Sequence, residues 1–179
     1  MIFRIRNYNK NETALTSFKL EEIIMTDFTI RLATPEDRKE IFNVHRDSVH
    51  NLCSEQYTEE QINMWLDGRD PDVYLPAIER GELWVAVSDG SILGFVEVEG
   101  NEITKLFVSG AAAGAGVGKA LMMKAIGYIR QDGKVRIYLE ATTTARDFYR
   151  KLGFVETGTG TFSRGGAAVS VEIVKMELV

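Results

Sequence analysis

The segment Gly110-Ala-Ala-Ala-Gly114-Ala-Gly116-Val-Gly118-Lys119 constrains this chain more than any other. It follows a strand-like run, Ile103 to Val108, and opens a helical stretch from about Gly116 to Gln131 that Asp132-Gly133 ends. Residues without side chains let backbone N–H groups turn outward, and a helix N-terminus adds partial positive charge, so the segment can cradle a diphosphate. A turn with glycines for close packing is the other reading of the same residues. Two common phosphate motifs are excluded. A P-loop needs glycine at 113 and a hydroxyl at 120, where the chain has Ala113 and Ala120. A dinucleotide fingerprint needs glycine at 119, which is Lys119, and follows the first strand of a parallel unit.

The surrounding pattern gives seven strands and four helices. Phe28, Ile30 and Leu32 alternate as in a half-buried strand, and Thr34-Pro35-Glu36-Asp37 then caps a helix that runs to about Leu52. Thr58-Glu59-Glu60-Gln61 is a capping box opening a second helix with Ile62, Trp65 and Leu66 on one face. After a linker from Pro71 to Gly81 come three runs, Leu83 to Val87, Ile92 to Val98 and Ile103 to Val108, separated by turns at Asp89-Gly90 and Gly100-Asn101. They predict an antiparallel meander. Beyond the glycine-rich helix, Val135, Ile137 and Leu139 alternate as a strand, and Ala145, Phe148, Tyr149 and Leu152 share one face of a short helix stopped by Gly153. In the last strand the apolar phase changes after Ile173, which predicts a bulge there. The order β-α-α-β-β-β-α-β-α-β-β describes an α+β fold with helices around one central sheet. Residues 27–179 form the predicted domain. Residues 1–26 read as a leader, either dispensable with Met25 as the start, or a short extra strand and helix packed on the domain.

Composition closes several other routes. One cysteine, Cys53, excludes a disulfide framework within the chain, and His45 and His50 stand five apart where paired helical ligands want three or four, so no metal is expected. The formal charge of −5 comes with no basic cluster to follow a phosphate backbone, so no nucleic-acid partner is expected. No stretch reads as a signal peptide or a membrane span, since Lys119 and Lys124 break the most apolar region. With one free thiol the cytoplasm is the expected compartment.

Two motifs together resemble the GCN5-related N-acetyltransferase (GNAT) family. Its signature, Gln/Arg-x-x-Gly-x-Gly/Ala after the fourth core strand, matches Ala113-Gly114-Ala115-Gly116-Val117-Gly118, departing at Ala113. Its helix Ala-x-x-Phe-Tyr-x-x-x-Gly-Phe is present from Ala145 to Phe154, with Thr142 where asparagine is usual. The resemblance implies a mixed, mostly antiparallel sheet in a three-layer α/β/α sandwich, and acetyl transfer from acetyl-CoA to a small-molecule or peptide amine. It implies a fourth and fifth strand that splay apart, with the pantetheine arm along Leu106, Phe107 and Val108. It also implies pyrophosphate contacts from residues 113 to 119, which include Val117 and Lys119, and cofactor contacts from Thr142 and Phe148. Tyr149 matches the acid that protonates the departing thiolate, and Glu102 a glutamate that serves as base in some members. Tyr57 and Trp65 lie on the segment that covers the acceptor side, and family analogy suggests a homodimer. Cys53 has no partner to activate it, which favours direct attack over a covalent acetyl-enzyme. A sensor or scaffold that binds acetyl-CoA without turnover is the alternative.

Overall fold

The computed structural model describes residues 27–53, 57–66, 68–164 and 169–179. The predicted leader and the side chain of Cys53 lie outside the described residues. Seven strands form one sheet in the order β1-β2-β3-β4-β5-β7-β6. They are β1 (Thr29–Leu32), β2 (Leu83–Ser88), β3 (Ser91–Glu99), β4 (Glu102–Val108), β5 (Ile137–Thr142), β6 (Val155–Phe162) and β7 (Val171–Leu178). Every pairing is antiparallel except β4 with β5. The helices are α1 (Arg38–Cys53), α2 (Glu59–Leu66), α3 (Leu75–Glu79), α4 (Val117–Gln131) and α5 (Arg146–Lys151).

Local chemistry sets these boundaries. Asp37 Oδ2 accepts the Thr34 N–H at 2.7 Å while its carboxylate takes both prongs of the Arg31 guanidinium, which fixes the turn that leads into α1. Thr58 and Gln61 form the expected reciprocal cap of α2, and the Gln61 amide donates at 2.8 Å to the Ser170 carbonyl, tying the helix to the chain before β7. Asp89 and Gly90 both take positive φ, 49° and 78°, in the turn of the β2–β3 hairpin.

Both faces of the sheet are covered. On one, α4 and α5 bury Val96, Val98, Ile103, Leu106, Leu139, Val174 and Met176; on the other, α1 and α3 bury Leu83, Val85 and Phe95. A third cluster joins Met64 of α2 to Val171 and Ile173 of β7. That cluster corrects the predicted bulge. β7 pairs with β5 without interruption from Ile173 to Leu178, and its apolar phase changes because α2 covers one face of its first half while the main core covers the other face of its second. The irregularity lies on β6, between Glu156 and Gly158. Two smaller expectations also shift. Val135 is exposed and precedes β5, and β1 is an edge strand whose Leu32 faces solvent.

Candidate functional site

The site begins with one extra residue on β4. Glu97 pairs with Lys105 and Val98 with Ile103, so Thr104 is a bulge opposite no residue of β3. A bulge bends its strand and shifts its phase by one. Both effects are visible here. β4 pairs with β5 only at Glu102↔Tyr138 and Ile103↔Leu139 and then parts from it, leaving a split from Thr104 onward. Before the bulge the Asn101 carbonyl accepts from Tyr138 of β5; after it, Ser109 N–H donates to Leu93 of β3 at 2.8 Å. Alternation then turns the N–H and C=O of Val108 and Leu106 into the split, and those of Phe107 toward β3. Gly94 of β3 permits this packing, since a Cβ there would stand 2.8 Å from the Phe107 carbonyl oxygen.

A cavity of about 280 Å³ occupies the split and is reached from both layers. From the α4/α5 side it is lined by Leu106, Ala145 and Tyr149. From the α1/α2 side come His45 and Ser48 of α1, Trp65 of α2 and Arg69 just beyond it. Glu102, Thr104 and Lys105 of β4, and Glu140 and Thr142 of β5, line it from the sheet. Tyr149 is 6% exposed, and burial pushes its phenol well above the ordinary tyrosine range, so it stays protonated. Glu102 is raised from the ordinary value, first by partial burial and then by the nearby charges of Glu140 and Glu99. Glu97, buried on the neighbouring β3, holds Lys105 in an ion pair and accepts from the Thr104 hydroxyl at 2.9 Å.

Above the split lies the glycine segment. Gly114 and Gly116 take φ of 84° and 82°, and a Cβ on either would meet nothing within 4 Å, so the loop's outer face is open. Gly116 caps α4, whose first turn presents N–H groups at Val117, Gly118 and Lys119 that no intrahelical carbonyl accepts. Asp47 of α1 anchors the loop by accepting the Gly110 N–H at 2.7 Å. An unpaired strand edge, an open glycine loop and a helix N-terminus in sequence fit the arm and diphosphate of a CoA thioester.

A family model described as an acetyltransferase (GNAT) domain matches residues 53–178. The chain belongs to the GNAT family. It is 30% identical over 133 residues, 72% of this chain and 84% of the relative, to a peptidyl-lysine N-acetyltransferase YjaB from Salmonella typhimurium. Among solved structures, a GCN5-related N-acetyltransferase from Rhodopseudomonas palustris aligns with a TM-score of 0.78 at 24% identity, covering 87% of this chain and 98% of that one. The PaiA N-acetyltransferase of Thermoplasma acidophilum, solved with coenzyme A, aligns with a TM-score of 0.69 at 22% identity over 84% of this chain and 98% of its own. The protein is thus an acyltransferase of the N-acetyltransferase class.

This GNAT domain brings many of the sequence-selected residues together. Tyr149, Glu102, Leu106, Phe107, Thr142 and Trp65 all line the cavity. Ala113, Gly114, Ala115, Gly116 and Lys119 are exposed along the loop, while Val117 and Gly118 are buried under it and offer main chain alone. Phe148 is half-buried, with its ring edge-on to Tyr149 at 5.0 Å between centroids. Tyr57 does not line the cavity; it packs behind Trp65, centroids 6.1 Å apart. Sequence reasoning missed Arg69, which sits in a polar turn with no periodicity to mark it, and the pair Glu97–Lys105, which only the bulge register brings together. His45, set aside as a metal ligand, is fully buried at the cavity wall.

Proposed function

We propose that this protein moves an acetyl group from acetyl-CoA to a primary amine by direct attack in a ternary complex. The observation that carries this is the split itself, which opens to opposite layers and has Tyr149 on one side and Glu102 on the other. When bound, acetyl-CoA supplies an activated thioester carbonyl. The main chain of Leu106 and Val108 holds the arm, and the Val108 N–H stabilises charge developing on the carbonyl oxygen. Residues 113 to 119 hold the diphosphate. Glu102 takes a proton from the incoming ammonium, directly or through water, because only a neutral amine attacks. Tyr149 donates its proton to the departing sulfur, burial keeping the phenol in its protonated form until the thiolate develops. That YjaB is a peptidyl-lysine acetyltransferase supports an amine acceptor.

Release of free thiol from acetyl-CoA, followed across a panel of small and peptidyl amines, tests this directly. Turnover with at least one amine is expected. Tight acetyl-CoA binding with no thiol release from any amine would instead mark a sensor domain.

A further inference from the structure

The cavity has two electrical ends. The charges acting on Glu102 are those of Glu140 and Glu99, whereas those acting on His45 are Arg69, Lys105 and Arg164. Lys105 is already neutralised by Glu97. Arg69 is different. Its Nε donates to the Trp65 carbonyl at 3.1 Å, which fixes the guanidinium against the cavity wall, and among the described residues no carboxylate forms an ion pair with it. The half-buried guanidinium feels the charge of Glu97, but that carboxylate is bonded to Lys105 and Thr104, so the Arg69 fork is left for an anion from outside.

A second observation comes from His45. The hydroxyl of fully buried Tyr74 meets His45 Nδ1 at 2.7 Å. Among the described residues it has no other hydrogen-bond acceptor, so the tyrosine proton goes to Nδ1 and the neutral imidazole carries its own on Nε2. That Nε2 is buried, unpartnered among the described residues, and belongs to a residue lining the cavity. The residues that carry this donor and this cation line the same cavity as Glu102 and Glu140.

We propose that Arg69 and the Nε2–H of His45 form an oxyanion subsite that selects small acceptors carrying a carboxylate or phosphate in addition to the reacting amine. The inference rests on the acetyl-transfer reading of the same cavity. The amine of such an acceptor lies toward Glu102 and its anion toward Arg69, and a volume of about 280 Å³ suits a molecule of amino-acid size. A guanidinium fork recognises either oxyanion, so carboxylate and phosphate must be separated by experiment.

Matched pairs isolate the anion: L-lysine against cadaverine, and O-phosphoethanolamine against ethanolamine. The expected result is a kcat/KM at least about tenfold higher for the anionic member of one pair, the size of a hydrogen bond to a charged group. Arg69→Gln should bring that ratio close to one, and Arg69→Lys should restore part of it, with retained melting temperature showing that the variants fold. A wild-type ratio near or below one in both pairs would overturn the proposal. So would a ratio that survives Arg69→Gln, or a blocked lysine peptide that outperforms every anionic amine and ignores the substitution. If wild type released no thiol with any amine, the acetyl-transfer reading would fail by itself. Calorimetric titration of the CoA complex with the same four probes would then decide the subsite, tighter binding of an anionic member that Arg69→Gln abolishes supporting it and equal binding sinking it.

Discussion

Tyr149 and Glu102 are placed to make opposite demands on a proton. Burial raises both, which holds the phenol in the form that donates and makes the carboxylate a stronger proton acceptor. Tyr149→Phe keeps the ring that packs against Phe148 and Phe154 and removes only the hydroxyl. We expect kcat to fall about 10²-fold or more with CoA affinity little changed, measured by steady-state kinetics and calorimetry. For Glu102 the sign is set by ionisation: with its pKa above the ordinary 4.5, the acid limb of kcat/KM should lie above that value, and activity should rise with pH through it. Glu102→Gln should remove the limb, and its deficit should shrink as pH rises and more acceptor is already neutral. A deficit independent of pH would assign Glu102 to acceptor positioning. At the loop, Gly116→Ala carries only the backbone strain of a φ of 82°, while Gly116→Glu adds an anion in the open space beyond it, so CoA affinity should fall further for the glutamate; equal CoA binding by the two would remove the diphosphate assignment.

Among the elements, β4 carries the most function for its length. Its bulge at Thr104 ends pairing with β5 and turns Leu106 and Val108 toward the split. Gly94 is the test of that geometry, because Gly94→Ala places a Cβ 2.8 Å from the Phe107 carbonyl and one of the two strands must move. A cost of about 1–3 kcal/mol is expected, or roughly 2–4 °C in Tm for each kcal/mol at this chain length, together with weaker CoA binding as Val108 is displaced. A loss of stability with full affinity would show that the edge tolerates the shift. The cap of α1 provides a contrast in which stability alone should change. Asp37 is held below its ordinary 3.8, first by the Arg31 hydrogen bonds, so its contribution is present above that pH and is lost as pH falls through the depressed native value. Asp37→Ala should cost about 1 kcal/mol near neutrality, and the gap to wild type should close in acid. Both caps and the β2–β3 turn were legible in the sequence because each is a local bargain between a side chain and a nearby backbone N–H. The Thr104 bulge was not, since Glu102 to Val108 reads as an ordinary strand and the extra residue appears only against β3.

For the whole molecule, the same division between local and distant causes explains what the sequence showed. Strand order, four of the five helices, the meander and the glycine loop are written in periodicity and punctuation, and the structure follows them while adding α3 within the predicted linker from Pro71 to Gly81. The apolar change in β7 was equally visible, yet its cause was two different layers over one straight strand, something no window of sequence contains. Arg69 and His45 gain their meaning only where α1, α2 and β4 converge. Residues 1 to 26 pose a question at this scale too. The capped, periodic pattern of the sequence starts only at Asp27. β1 is also an edge, paired with β2 along Thr29–Leu32 and with no further strand in the described sheet, so it offers a place where a preceding segment would add on if it belonged to the fold. We propose that it does not, and that a chain beginning at Met25 keeps both its melting temperature and its CoA affinity. Amide exchange along β1 adds a finer measure: protection of Ile30 and Leu32 should be the same in the two chains. A drop of several degrees, or β1 amides that exchange faster once the first 24 residues are gone, would make the leader a structural part of the sheet.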